Sequence, residues 1–275
     1  MSVRQSPVPK PVWYTMRVET QTLHQLHRWH ILQLGCIPYA TAWAWQRELV
    51  RLRSLGAIED TLLLLEHPPT ITLGRAADRS NILASPAELA QLGITVVETD
   101  RGGDVTYHAP AQLVGYPILK LSRYGGNLLG YLRQIEEALI RTLASYGIAA
   151  GRIEGLTGVW LNARRPLLRD PASPDVSEAD LDQKIAAIGV RLSASGVTSH
   201  GFALNVAPDL SGFRQIIPCG IRERGVTSMH VVLGSAPPLA EVATQVVAQL
   251  VELFQIEPNI DPCLDIEELI RSNHG

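Results

Sequence analysis

Four short segments carry residues able to do chemistry. The first is Ile216-Ile-Pro-Cys-Gly-Ile221, in which Pro218 and Gly220 bracket Cys219. A tight turn of this kind can lift a thiol out of the packing and surround it with backbone N–H groups, a setting that suits a nucleophilic thiolate. A buried, inert thiol is the alternative. The second is Lys184-Ile-Ala-Ala-Ile-Gly-Val-Arg191. On a strand, Lys184 and Ala186 share one face, and Ile185 and Ala187 share the other. A lysine pointing into a site from the sheet rim can move a proton, which an arginine cannot. The alternative is a solvated lysine at a strand end.

The third segment is Arg101-Gly-Gly-Asp-Val-Thr-Tyr-His108. Gly102 and Gly103 open the backbone to conformations barred to other residues and allow close approach of a ligand. Arg101, Tyr107 and His108 place polar groups beside that opening. The spacing fits neither a phosphate-binding loop nor a dinucleotide fingerprint, and Gly-Gly-Asp also suits an ordinary turn. The fourth is Thr198-Ser-His-Gly-Phe-Ala-Leu-Asn-Val206. Its small residues suit a cleft wall, and His200 alone is a weak signal. A further stripe, His24, His27 and His30, would share one face of a helix. It reads as a solvated face rather than a metal site, since no Cys or carboxylate joins it.

Composition narrows the classes. The chain has 275 residues, 46% hydrophobic and 19% charged, with a net charge of −3. That balance fits a globular protein and disfavours nucleic-acid binding, which usually needs a basic face. No apolar run approaches the ~20 residues that span a bilayer, and the N-terminus lacks the apolar core of a signal peptide. A soluble cytoplasmic protein with no membrane partner is expected. Three cysteines, Cys36, Cys219 and Cys263, make no disulfide framework. Without a CxxC pair, no structural zinc site is expected. Of the basic residues only Lys10, Lys120 and Lys184 are lysines.

The elements that must position these segments follow from periodicity. Residues 39–55 read as an amphipathic helix and 61–66 as a buried strand. Residues 70–73 read as a paired strand. Ser85-Pro86 opens a short helix, and 94–99 alternates like a strand. Two more strands, 105–108 and 112–118, are split by Pro110. Asn127 caps a long helix closed by Gly147. Strands follow at 158–162, 184–192 and 197–206, then helices near 238–254 and 264–271. Residues 164–180, with three prolines, read as a mobile surface loop. The order predicts an α+β fold, mixed sheets with segregated helices. Residues 1–33 read as an N-terminal extension, 34–255 as the main domain and 256–275 as a C-terminal helical tail.

The blocks LeuLeuGluHisProPro (64–69), ThrLeuGlyArg (72–75), Arg101–His108, LysIleAlaAlaIleGly (184–189), HisGlyPheAlaLeuAsn (200–205) and ProCysGlyIle (218–221) resemble the lipoyl(octanoyl) transferase family of lipoate synthesis. The resemblance covers about residues 34–255. It implies the fold of the biotin and lipoate protein ligase catalytic domain and a cysteine–lysine dyad at Cys219 and Lys184. It further implies substrate-binding positions at Arg101, Gly102, Gly103, Asp104, Val105, Thr106, Tyr107 and His108, at Ala187, Ile188 and Gly189, and at Gly201, Phe202 and Ala203. Ala109 and Ala111 stand where the family usually has glycine. Since alanine resists positive φ, a subtly reshaped turn is expected there.

The implied reaction carries an octanoyl group from octanoyl-acyl-carrier protein, through a Cys219 thioester, to a lysine of a lipoyl domain. Acceptors would be the lipoyl domains of 2-oxoacid dehydrogenases and the glycine cleavage H protein. A thioester already holds the activation energy, so neither ATP nor another cofactor is expected, and no metal. Two other readings remain at this level: an ATP-dependent lipoate or biotin protein ligase, which has no use for a nucleophilic cysteine, and a non-catalytic acyl-carrier binding module with Cys219 inert.

Overall fold

The computed structural model describes residues 27–162, 182–218, 224–260 and 265–273. The elements, in chain order, are β1 (His27–Cys36), α1 (Tyr39–Leu55), β2 (Asp60–Glu66), β3 (Thr70–Leu73), α2 (Pro86–Gln91), β4 (Thr95–Glu98), β5 (Val105–His108), β6 (Gln112–Ile118), α3 (Leu128–Ser145), β7 (Gly151–Ile153), β8 (Leu156–Leu161), β9 (Gln183–Leu192), β10 (Thr198–Asn205), β11 (Gly225–Val226), α4 (Met229–Leu233), α5 (Leu239–Phe254), β12 (Ile256–Asn259) and α6 (Ile266–Arg271).

A nine-stranded mixed sheet runs β12-β1-β2-β6-β10-β9-β8-β7, with β11 paired to β9. The strands that carry the candidate residues are antiparallel, β6 to β10 and β10 to β9. Helices cover both faces. Leu62 and Leu64 of β2 join the core under α3 and α5, while Leu63 and Leu65 join the core under α1 and α6. That two-sided burial is why β2 reads as an unbroken apolar run rather than an alternating one. A second sheet, β4-β3-β5, packs its own small core around Ile71, Val105 and Tyr107. This is the expected α+β class.

Local signals place the helix ends. Ser85 accepts from the Glu88 N–H while Glu88 reaches back to the Ser85 N–H, a capping box opened by Pro86. Asn127 Oδ1 accepts from the N–H groups of Leu129 and Gly130 at the start of α3.

Several expectations change. β1 begins at His27 and pairs in parallel with β2 and β12, so the sheet reaches into the stretch read as an extension. A helical histidine stripe does not form there, because His27 and His30 sit on a strand with odd spacing and face opposite sides. His24 lies outside the described residues. Ile256–Asn259, at the head of the stretch read as a helical tail, is strand β12. The strand read at 70–73 is paired as expected, with β4 and β5 as its partners, in a sheet apart from β2. The loop at 164–180 lies outside the described residues.

Candidate active site

The strand-to-strand junctions enclose a cavity of about 580 Å³. Its walls come from the 101–104 turn and the start of β5, from Lys184 and residues 187–190 of β9, and from His200–Ala203 of β10. Tyr39, His108 and Tyr116 close one side, and Leu128, Leu132 and Leu156 supply apolar surface. The volume falls within the about 300–1,000 Å³ of small-molecule sites.

Glycines bring the walls together. A Cβ on Gly189 would stand 2.9 Å from the Gly102 carbonyl oxygen. The Gly102 N–H donates to the Val190 carbonyl at 2.9 Å, which stitches the turn to β9. A Cβ on Gly201 would run into the Gly115 carbonyl of the neighbouring strand.

Arg101 organises the turn rather than reaching into solvent. Its buried guanidinium donates to the Thr72 carbonyl at 2.7 Å, to the Asp104 carbonyl at 2.6 Å and to the Gly102 carbonyl at 3.0 Å. The Asp104 carboxylate accepts from the Asp78 N–H and from Asn81 Nδ2. Three neutral histidines sit beside the cavity. Burial lowers His67 to about 4. Burial, then the neighbouring His67, pulls His108 well below the ordinary imidazole value. Burial also lowers His200, against the pull of Asp100.

The hydrogen bonds fix the tautomers. His67 Nδ1 donates to the Ile37 carbonyl at 2.6 Å, so its Nε2 accepts from the Tyr116 hydroxyl at 2.7 Å. Gln112 donates from Nε2 to the Tyr107 carbonyl, so its Oε1 accepts from His108 Nδ1 at 2.8 Å. Gln112 Nε2 also donates to Asn205 Oδ1 at 2.9 Å, and Asn205 donates to the Thr227 carbonyl.

Lys184 is buried and lines the cavity, with its Nζ 4.6 Å from the centre of the Trp160 ring. It also lines a smaller pocket with Thr106, Gln112, Asn205 and Pro218. Cys219 lies outside the described residues, one position beyond Pro218. Cys36 is exposed on the rim of the large sheet, and Cys263 is outside the described residues.

The structure brings together Lys184 and almost every position implied for substrate: Arg101, Gly102, Gly103, Asp104, Val105, Thr106, His108, Ala187, Ile188, Gly189, Gly201, Phe202 and Ala203 all line the cavity. Tyr107 is the exception. Its ring packs in the small-sheet core against Phe213 and over Gly212, because strand alternation turns it away from His108. The alternation expected for β9 also fails. Ile185 and Ala186 are both core residues, and Lys184 and Ala187 line the same cavity. A bulge explains this: Val159 pairs with Ala186 but Trp160 pairs with Lys184, leaving Ile185 as the extra residue.

Sequence reasoning passed over Tyr39, Tyr116, Trp160, Leu128 and Leu132. The leucines carried a signal, an i,i+4 apolar pair on α3. The others did not, since they depend on how strands pair.

Among the described residues no group of three or more His, Cys, Asp or Glu could hold a metal ion, and no helix is long and apolar enough to cross a membrane.

Residues 38–251 match the lipoyl protein ligase A/B catalytic domain. The chain is 57% identical over 228 residues to an octanoyltransferase of Chloroflexus aggregans, covering 83% of this chain and 96% of that one. It is 50% identical over 221 residues to an octanoyltransferase of Rubrobacter xylanophilus, covering 80% and 90%. Among solved structures it resembles a lipoate-protein ligase A bound with ATP, with TM-score 0.65 and 18% identity, covering 90% of this chain and 94% of that one. A bipartite lipoate protein ligase from Thermoplasma acidophilum gives TM-score 0.64 at 17% identity, covering 90% and 92%. At such identities the structures speak for the fold, and the curated relatives place the sequence within it. The chain belongs to the lipoyl protein ligase A/B catalytic-domain family, among its octanoyltransferases.

Proposed function

We propose that this protein transfers an octanoyl group from an acyl-carrier-protein thioester to a lysine of a lipoyl domain in lipoate biosynthesis, by way of a thioester on Cys219. The observation that carries the reading is the convergence of three family blocks, within 101–108, 184–189 and 200–205, on one cavity that a buried Lys184 lines. A buried lysine beside a site is costly to maintain unless its charge or its proton is used.

The Cys219 thiolate attacks the donor carbonyl and the carrier thiol leaves with a proton. The acceptor amine then attacks the acyl-enzyme, loses a proton and releases the Cys219 thiol. Lys184 stabilises the thiolate as a nearby cation and passes the proton. Leu128, Leu132, Leu156 and Phe202 offer apolar surface for the octanoyl tail. Burial of about seven methylene-sized groups gives at most about 6 kcal/mol. The buried imidazoles, held neutral by burial, bring no charge to the tail. The reaction needs no ATP, because the carrier thioester already holds the activation energy.

Mass spectrometry after mixing with octanoyl-carrier protein tests the reading. An octanoyl adduct on Cys219 is expected. An adduct on Cys36 or Cys263 instead, or full turnover by Cys219→Ala, overturns the covalent route. Turnover with free octanoate and ATP would favour the ligase reading.

A further inference from the structure

Lys184 and Trp160 are register partners on β9 and β8, and the bulge at Ile185 is what sets them on one side of the sheet. Without it, Trp160 would face Ile185. Bulges recur where a sheet must re-aim a side chain. On the neighbouring strand a glycine lets the backbones of β8 and β9 approach beside the lysine arm. Gly158 has φ +123, and a Cβ there would stand 2.7 Å from the Ala186 carbonyl and 3.5 Å from Lys184 Cε. The Gly158 N–H is held by Glu136 Oε1 at 3.1 Å, and Glu136 is itself buried and paired with Arg133 and Arg152. So α3 anchors the glycine that lies beside the Lys184 arm, and the ammonium ends 4.6 Å above the Trp160 ring.

Trp160 is 2% exposed, yet its Nε1 has no hydrogen-bond partner among the described residues. A buried tryptophan usually finds one. Its ring meets two cations, Lys184 and, at 5.6 Å, the Arg224 guanidinium. Packing alone would be met by any large apolar side chain. A ring that draws two cations uses its electron-rich face.

We propose that the face of the Trp160 indole is the seat of the Lys184 ammonium, making Trp160 a positioning residue that holds the lysine at the junction of the large cavity and the pocket lined by Pro218. The role of Lys184 in transfer rests on the reading above; the seat itself does not.

The test is the rate at which acetic anhydride labels Lys184 at neutral pH, read by peptide mass spectrometry, beside kcat and KM for transfer. Site-specific incorporation of mono-, di- and trifluorotryptophan at position 160 weakens the face without changing its shape. Labelling of Lys184 is expected to rise stepwise with fluorine count, and in Trp160→Met by about two- to thirty-fold, the range that such contacts span. Trp160→Phe should fall between wild type and Trp160→Met. In transfer, kcat is expected to fall in the same order with KM little changed. A flat labelling series overturns the seat, whatever happens to activity. A rising labelling series with unchanged kcat keeps the seat and overturns the catalytic role of Lys184.

Discussion

His200 Nε2 donates to Asp100 Oδ1 at 2.8 Å from a backbone held at φ +57. A histidine in the left-handed region is uncommon and persists where its surroundings hold it. Here the His200 N–H is held by Gln46 Oε1 at 2.7 Å, and the next residue is Gly201, seated against the Gly115 carbonyl. The carboxylate fixes the tautomer and leaves Nδ1 facing the Tyr39 hydroxyl at 3.4 Å.

His67, His108 and His200 are all held below the ordinary imidazole value, chiefly by burial. The unfolded chain therefore takes up protons first as pH falls. The stability tied to neutral imidazoles is complete above about pH 6.5 and is lost as pH drops toward the folded values. For His67, lowered to about 4, the full difference is on the order of 3 kcal/mol. Urea unfolding should show stability declining from about pH 6.5 toward pH 4, and His67→Gln should flatten that decline. An unchanged slope would count against the buried neutral imidazole.

Ala111 takes φ +62, a left-handed conformation that glycine adopts freely, so here the alanine carries the strain. Its N–H donates to Glu66 Oε2 and its carbonyl accepts from the Ala207 N–H, which holds the conformation in place. Ala111→Gly should relieve about 1–2 kcal/mol of native strain against about 0.4–1 kcal/mol of added unfolded-chain entropy. A small net gain in urea midpoint is expected. Ala109, which lacks a positive φ, should lose about 0.5–1 kcal/mol on replacement by glycine. Equal effects at both positions would contradict the turn.

Gly189→Ala should press a Cβ onto the Gly102 carbonyl and, at 3.3 Å, onto Arg101 Cδ. The 101–104 turn must give way, at a cost of about 1–3 kcal/mol. KM for octanoyl-carrier protein is expected to rise about tenfold or more, with the melting temperature falling by a few degrees. Kinetics indistinguishable from wild type would show that the turn does not bound the acyl site.

Leu132 lines the cavity from α3. Leu132→Phe should shorten the longest acyl chain accepted. Each methylene excluded forfeits about 0.8 kcal/mol of burial, roughly a fourfold change in kcat/KM per carbon. Comparing hexanoyl, octanoyl and decanoyl donors reads this directly, and an unchanged preference would place the tail elsewhere.

The sequence alone determined the elements whose signals are local. The capping box at Ser85 and Glu88, the Asn127 cap and the apolar run of β2 follow from neighbours along the chain. It also carried the ordered blocks that mark the family, and thirteen of the fourteen substrate positions they imply line one cavity. Tertiary structure decided what depends on pairing between distant segments. β1 enters the sheet only because β2 and β12 supply partners on both sides, which no pattern within residues 27–36 reveals. A one-residue bulge at Ile185 overrode the two-residue period and set Lys184 opposite Trp160, since a shift of one residue reverses the face of every side chain beyond it. Which lysine could matter was legible in the chain; which ring its ammonium stands over was decided by the register of two strands.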